Sequence, residues 1–187
     1  MKKIIVPVDF SEQSENALKT AASIAAKYGS ELFVLHMLEL SEALVSSNEQ
    51  AHYEQAVFLI KLAEKRFETF LEKPYLKGIS VTPIVKHHKV YSEVNAVAEK
   101  HQADLIVMGS RGTDGIKEIF VGSNAEKMVR NSNVPVLVIK DYIEGFEVKR
   151  FVFACDFEEE NLEPFQRAKN LADKFGAELI LVNINTP

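Results

Sequence analysis

Five short runs of strand character divide the first 140 residues, and each is separated from the next by a stretch with helical periodicity. The runs are Lys3–Val8, Leu32–Met37, Ile79–Val85, Leu105–Met108 and Val134–Ile139. Short apolar runs of this kind suit strands whose two faces are both covered. Between them, Ala17, Leu18, Ala21, Ala22, Ile24 and Ala25 recur at helical spacing, as do Ala56, Ile60, Ala63, Phe67 and Phe70. Val94, Val97 and Ala98 mark a third helix, and Ala125, Met128 and Val129 a fourth. Ser11 is placed to cap the first helix, Gly29 to end it, and Pro74 to stop the second. Ser41–Asn48 reads as a polar loop. Strands joined through helices require right-handed crossovers, so the alternation predicts an α/β fold: an open parallel sheet with helices on both faces.

The tail repeats the head. At an offset of 147, Lys2 falls on Lys149, Asp9-Phe10 on Asp156-Phe157, Ala21 on Ala168, Ala25 on Ala172, Lys27 on Lys174, Gly29 on Gly176 and Glu31-Leu32 on Glu178-Leu179. Strand–helix–strand character is kept throughout, which marks an internal repeat. The expected organisation is a first domain over residues 1–141, a linker at Asp141–Glu147, and an incomplete second copy, a β-α-β unit, over residues 148–187. A unit of that size is near the ~40 residues below which domains rarely fold alone. Phe151–Phe153 and Leu179–Val182 are apolar runs, and one helix, with Phe165, Ala168, Leu171, Ala172 and Phe175 inward, covers a single face. The expected cover for the other face is the same unit of a second chain, giving a homodimer.

The net charge is −5 and no Lys/Arg run is long enough to follow a nucleic-acid backbone, so no nucleic-acid partner is expected. No apolar stretch approaches the ~20 residues that span a bilayer, so no membrane partner is expected. The start, Met1-Lys2-Lys3, enters an apolar run too short for a signal peptide. Cys155 is the one cysteine and can form no internal disulfide. A cytoplasmic location is the expectation.

The chemistry concentrates in glycines. Four of the eight lie between Gly109 and Gly122, reading Gly109-Ser110-Arg111-Gly112, nine residues, then Gly122-Ser123. The first pair ends a buried strand and the last precedes a helix. Ligands of open parallel sheets bind outside the carboxyl ends of the strands. Glycine allows close backbone approach to a phosphate, and a helix start offers free N–H groups and a positive dipole end. Tight turns without a ligand would account for one or two of these glycines.

These residues resemble the G-2x-G-9x-G-[S/T] pattern of the ATP-binding class of universal stress proteins, and Ile4-Ile5-Val6-Pro7-Val8-Asp9-Phe10-Ser11 resembles that family's first strand and loop. The resemblance covers residues 1–140, and the tail in part. It implies a five-stranded parallel sheet in the order 3-2-1-4-5. It also implies a nucleotide site in which Gly109, Gly112, Gly122 and Ser123 line phosphates and ribose, with Asp9 on the ribose or adenine side. Pro7 and Val8 would shape the first loop, Met37 would offer its backbone to the adenine edge, and Met108 would lie nearby. Asn124 stands where the family often has an aliphatic residue; its amide either reaches a phosphate or points to solvent. His87-His88-Lys89 stands where the family commonly has a glycine. Asp9 has a second reading, as a carboxylate that caps the following helix. Arg111, Lys117 and Arg130 are candidates to neutralise phosphates, or ordinary surface charges. The second copy lacks the glycine motif and is not expected to bind a nucleotide by itself.

The function implied is a nucleotide-binding regulatory protein of the stress response, responding to ATP, or to AMP or ADP, with Mg beside the phosphates. No acidic pair or histidine lies near the glycine cluster, so the chain is not expected to be an enzyme beyond weak ATP hydrolysis. The alternative is a slow ATPase or a nucleotide-transferring enzyme.

Overall fold

The computed structural model describes residues 1–38, 50–87, 90–110, 123–156 and 158–183. The chain forms two compact units, Met1–Glu144 and Gly145–Pro187.

The first unit runs β1 (Lys3–Val8), α1 (Glu12–Tyr28), β2 (Glu31–Leu38), α2 (Gln50–Leu71), β3 (Val81–His87), α3 (Val90–His101), β4 (Leu105–Gly109), α4 (Ser123–Asn131) and β5 (Val136–Ile139). Its five strands pair in parallel in the order β3-β2-β1-β4-β5, as the resemblance implies. Alternate strand residues face opposite sides. On one side Ile5, Phe33, Leu35 and Ile106 pack with Val94, Val97 and Ala98 of α3 and Ala125 and Met128 of α4. On the other, Ile4, Val6, Leu32 and Val34 are fully buried, and α1 buries Ala17, Leu18, Ala21 and Ile24 against the sheet. Helices thus cover both faces. No described helix is long and apolar enough to cross a membrane.

The local signals act as their chemistry dictates. The Ser11 hydroxyl accepts from Ser14 N at 3.2 Å, and Gly29, at φ 66°, closes α1 by donating to the Ala25 carbonyl. Two strands start later than expected. Ile79 is held in a turn, its N–H donating to the Leu76 carbonyl at 3.1 Å after Gly78 at φ 84°, so β3 begins at Val81. Val134 is pinned by Ser132, whose hydroxyl donates to its carbonyl at 2.9 Å and accepts from its N–H at 3.1 Å, so β5 begins beyond Pro135. The expected loop Ser41–Asn48 lies outside the described residues.

The second unit is β6 (Arg150–Ala154), α5 (Leu162–Phe175) and β7 (Glu178–Val182), with β6 and β7 parallel. Its bonds echo those of β1-α1-β2 at the sequence offset. Lys3 pairs with Glu31, and Arg150 with Glu178. Glu31 N donates to Lys2 O at 2.8 Å, and Glu178 N to Lys149 O at 3.0 Å. Gly29 and Gly176 both cap in the left-handed region, at φ 66° and 63°. The copies differ at the helix start. No serine stands where Ser11 does, and a 3-10 turn at Glu159–Asn161 delays α5. Phe151 meets Phe175 and Phe153 meets Phe165, both with ring centroids 5.8 Å apart. The outer row is open: Val152 is 66% exposed. β6 therefore alternates between exposed and half-buried positions, whereas Ile180 and Val182 on the same row of β7 are half-buried, and Cys155 is half-buried just after β6.

Candidate functional site

The strand order sets the place of the site. From β1 the chain crosses to β2 on one side, and from β4 to β5 on the other, so the switch in direction falls between β1 and β4. The Lys2 carbonyl accepts from Glu31 N at 2.8 Å on the β2 side, and the Lys3 carbonyl from Asp104 N at 2.9 Å on the β4 side. Alternate residues of β1 thus address alternate neighbours, and the row facing β4 is Lys3, Ile5 and Pro7. Pro7 has no N–H to give. Pairing between β1 and β4 covers only Ile4↔Leu105 and Ile5↔Ile106, whereas pairing with β2 continues to Val8↔His36. A proline at the β4-facing position thus ends the ladder toward the carboxyl ends of the two strands, where ligands of such sheets bind.

One wall is the loop from β1 into α1. Asp9 Oδ1 accepts from Ser11 N at 3.0 Å and from Ser11 Oγ at 2.5 Å. Ser14 Oγ accepts from Asp9 N at 3.4 Å and donates to the Ser11 carbonyl at 3.0 Å. The Asp9 carboxylate thus takes up its capping role, by holding the N-cap serine. Phe10 adopts φ 66°, in the left-handed region that costs a residue with a Cβ about 1–2 kcal/mol. Its ring lies 4.2 Å from that of His36, 5.2 Å from Phe70 and 6.2 Å from Phe67, with the Arg66 guanidinium 4.5 Å from its centre. His36 is buried, and its Nδ1 lies 3.0 Å from the Val8 carbonyl, which requires an Nδ1–H donor. Burial holds its pKa below the ordinary imidazole value; the Arg66 charge adds to that, while the Val8 bond and the Asp9 charge oppose it.

The other wall starts at Gly109. A Cβ there would meet the Gln13 backbone carbon at 2.8 Å and its oxygen at 2.9 Å. The glycine is thus required by the approach of α1 to β4, a reason inside the protein and separate from phosphate access. Ser110 is buried, its N–H donating to the Ile139 carbonyl at 2.8 Å. Val8 is buried, and Pro7 and Met37 are half-buried, with Met37 packed against the core. The Met108 side chain belongs to the core cluster. Ser123 opens α4, and Asn124 is exposed in its first turn. Gly112 and Gly122 lie outside the described residues, as do Arg111, Lys117, His88 and Lys89. Arg130 is exposed and paired with Glu126 at 3.0 Å on its own helix, as a surface charge would be. The structure therefore brings together Pro7, Val8, Asp9 and Gly109 at the carboxyl ends of the adjacent strands β1 and β4. It adds Gln13, Phe10 and His36, which the sequence reading gave no role; the histidine inside an otherwise apolar strand was the available signal.

An open parallel sheet in the order β3-β2-β1-β4-β5 with helices on both faces defines the class, a doubly wound α/β protein. Residues 1–140 match the model of the universal stress protein family. Universal stress protein MJ0577 of Methanocaldococcus jannaschii is 31% identical over 153 residues, 74% of this chain and 94% of the relative. Universal stress protein MJ0531 of the same organism is 30% identical over 149 residues, 74% of this chain and 82% of the relative. The solved structure of MJ0577 matches with a TM-score of 0.65 at 33% identity, over 76% of this chain and 98% of that one. A functionally unknown protein of Pseudomonas aeruginosa, PA1789, shares the fold over 98% of this chain and 60% of its own, with a TM-score of 0.60 at 19% identity. The chain belongs to the universal stress protein family.

Proposed function

We propose that residues 1–141 bind an adenine nucleotide in the crevice between β1 and β4, and that the protein is a nucleotide-responsive regulator of the stress response. ATP is the first candidate, with AMP and ADP as alternatives and Mg carried on the phosphates. The observation that carries the reading is the β1–β4 pairing, which stops where Pro7 cannot donate, beside Asp9 on one strand and the Gly109 segment on the other. Asp9, Met37 and Pro7-Val8 bound the base and ribose side. Gly109, Gly112, Gly122, Ser123 and Asn124 serve the phosphates, where the first turn of α4 offers N–H groups without intrahelical partners. Ligand state sets conformation or dimerisation, in the cytoplasm.

The second unit is read as an incomplete second copy of the same domain. The repeated register and glycine cap support this, as does the fold shared with PA1789 along nearly the whole chain. Its open outer row supports a homodimer.

A thermal melt tests the ligand. Nucleotide at 100 times its Kd adds roughly 2.7 kcal/mol to the folded state, so millimolar Mg-ATP raises the Tm. Mass spectrometry of ligand released from denatured protein names the natural occupant. No shift with ATP, ADP or AMP refutes the reading. Steady hydrolysis near ~1 s⁻¹, the low end of the usual enzyme range, would favour the slow-ATPase alternative.

A further inference from the structure

We infer that Phe10 is a positioning residue for the crevice, bracing the Asp9 loop against β2 and α2; the inference rests on the nucleotide reading above. A residue preceding an N-cap commonly packs back on the first turn of its own helix. The ring contacts of Phe10 lead elsewhere: to His36 of β2 at 4.2 Å, Phe70 and Phe67 of α2 at 5.2 and 6.2 Å, and the Arg66 guanidinium at 4.5 Å. The backbone needs φ 66° here, which glycine adopts without strain. A phenylalanine in that conformation persists only where its surroundings over-determine it, and the rings of three residues and one guanidinium do so.

What the brace holds is a sequence of bonds that ends at the site. His36 Nδ1 fixes the last carbonyl of β1, at Val8, 3.0 Å away. The Phe10 ring lies against that same imidazole, tilted by 38°. Asp9 sits between the two anchors, and its Oδ1 holds Ser11 N at 3.0 Å, which starts α1. The carboxylate is therefore aimed before any ligand arrives. Free of Phe10, the loop would have to be ordered at the moment of binding, at the expense of affinity.

Titration calorimetry of Mg-ATP into the full chain tests this with Phe10→Gly, Phe10→Leu and Phe10→Tyr. Glycine accepts the backbone angle and removes the brace. The Kd is expected to rise about tenfold, as when the backbone of one residue must be ordered on binding. Amide exchange at Ser11 and Ser14 speeds up in the same variant without nucleotide. Tyrosine restores wild-type binding, and leucine, apolar but without a ring, does not. A Phe10→Gly protein that binds within about twofold of wild type overturns the inference, as does leucine restoring binding as well as tyrosine does. A wild-type protein that binds no adenine nucleotide overturns the site reading itself.

Discussion

Replacing Gly109 by alanine probes the contact on which one wall of the crevice depends. Gly109 does not occupy the left-handed region, so alanine meets no backbone penalty, and the whole effect is steric. The added Cβ lies 2.8 Å from the Gln13 backbone carbon, against 3.4 Å for ordinary contact, so the first turn of α1 must retreat by about 0.6 Å. A helix backbone gives less readily than a side-chain tip. Overpacking of this kind costs about 1–3 kcal/mol. For the first unit, intermediate in size between the usual reference classes, that is a fall in Tm of roughly 3–12 °C. Gln13 lies between Ser11 and Ser14, so the displacement also disturbs the Asp9 network, and nucleotide affinity falls with stability. Gly78→Ala is the control: φ is 84° and nothing lies within 4 Å of the new Cβ, so only the conformational cost of about 1–2 kcal/mol applies, at the amino end of β3 and away from the strands' carboxyl ends. Scanning calorimetry with and without Mg-ATP separates the two. A Gly109→Ala protein that melts with wild type refutes the close approach of α1 and β4.

Gly122→Val is expected to abolish the Mg-ATP melting shift and leave the apo melt largely unchanged; normal binding would move the phosphate site elsewhere. Because burial depresses the folded-state pKa of His36 below 6.5, the unfolded chain takes up its proton first, and the His36 contribution to stability declines as pH falls below 6.5 toward the folded value. Urea titrations between pH 5 and 7.5 on wild type and His36→Gln measure this, and parallel slopes would refute it. Val152 is 66% exposed on the open row of β6, so Val152→Asp is expected to leave the monomer folded and raise the dimer dissociation constant by tenfold or more; unchanged sedimentation would place any dimer contact elsewhere.

The alternation of apolar runs with helical stretches disclosed the parallel sheet, because burial on both faces leaves a pattern that local sequence carries. Strand order came from the family resemblance, since periodicity alone does not say which strand lies beside which. The glycine cap of α1 was legible because a left-handed helix end is a one-residue requirement, and its repetition at Gly176 was legible for the same reason. The Phe10–His36 contact was not, because it joins residues 26 positions apart through a backbone angle that phenylalanine does not advertise. Gly109 was legible as a special position but for a different reason: the neighbour it admits is the Gln13 backbone. The late starts of β3 and β5 follow from turn bonds around Ile79 and Val134, whose side chains favour strands.

Pro7 has a mechanical consequence. It removes the N–H that would carry the β1–β4 ladder past Ile5–Ile106. That ladder is two pairs long, extended at its amino end by the Asp104 N–H on the Lys3 carbonyl, while β1–β2, β2–β3 and β4–β5 are zipped far along their length. The seam with the fewest rungs is therefore the one at the switch in strand order, and the missing rung is on its carboxyl side. A molecule touching Asp9 at the end of one strand and Gly109 at the end of the other would span that seam like a clasp, stiffening it by bridging it rather than by reshaping either side.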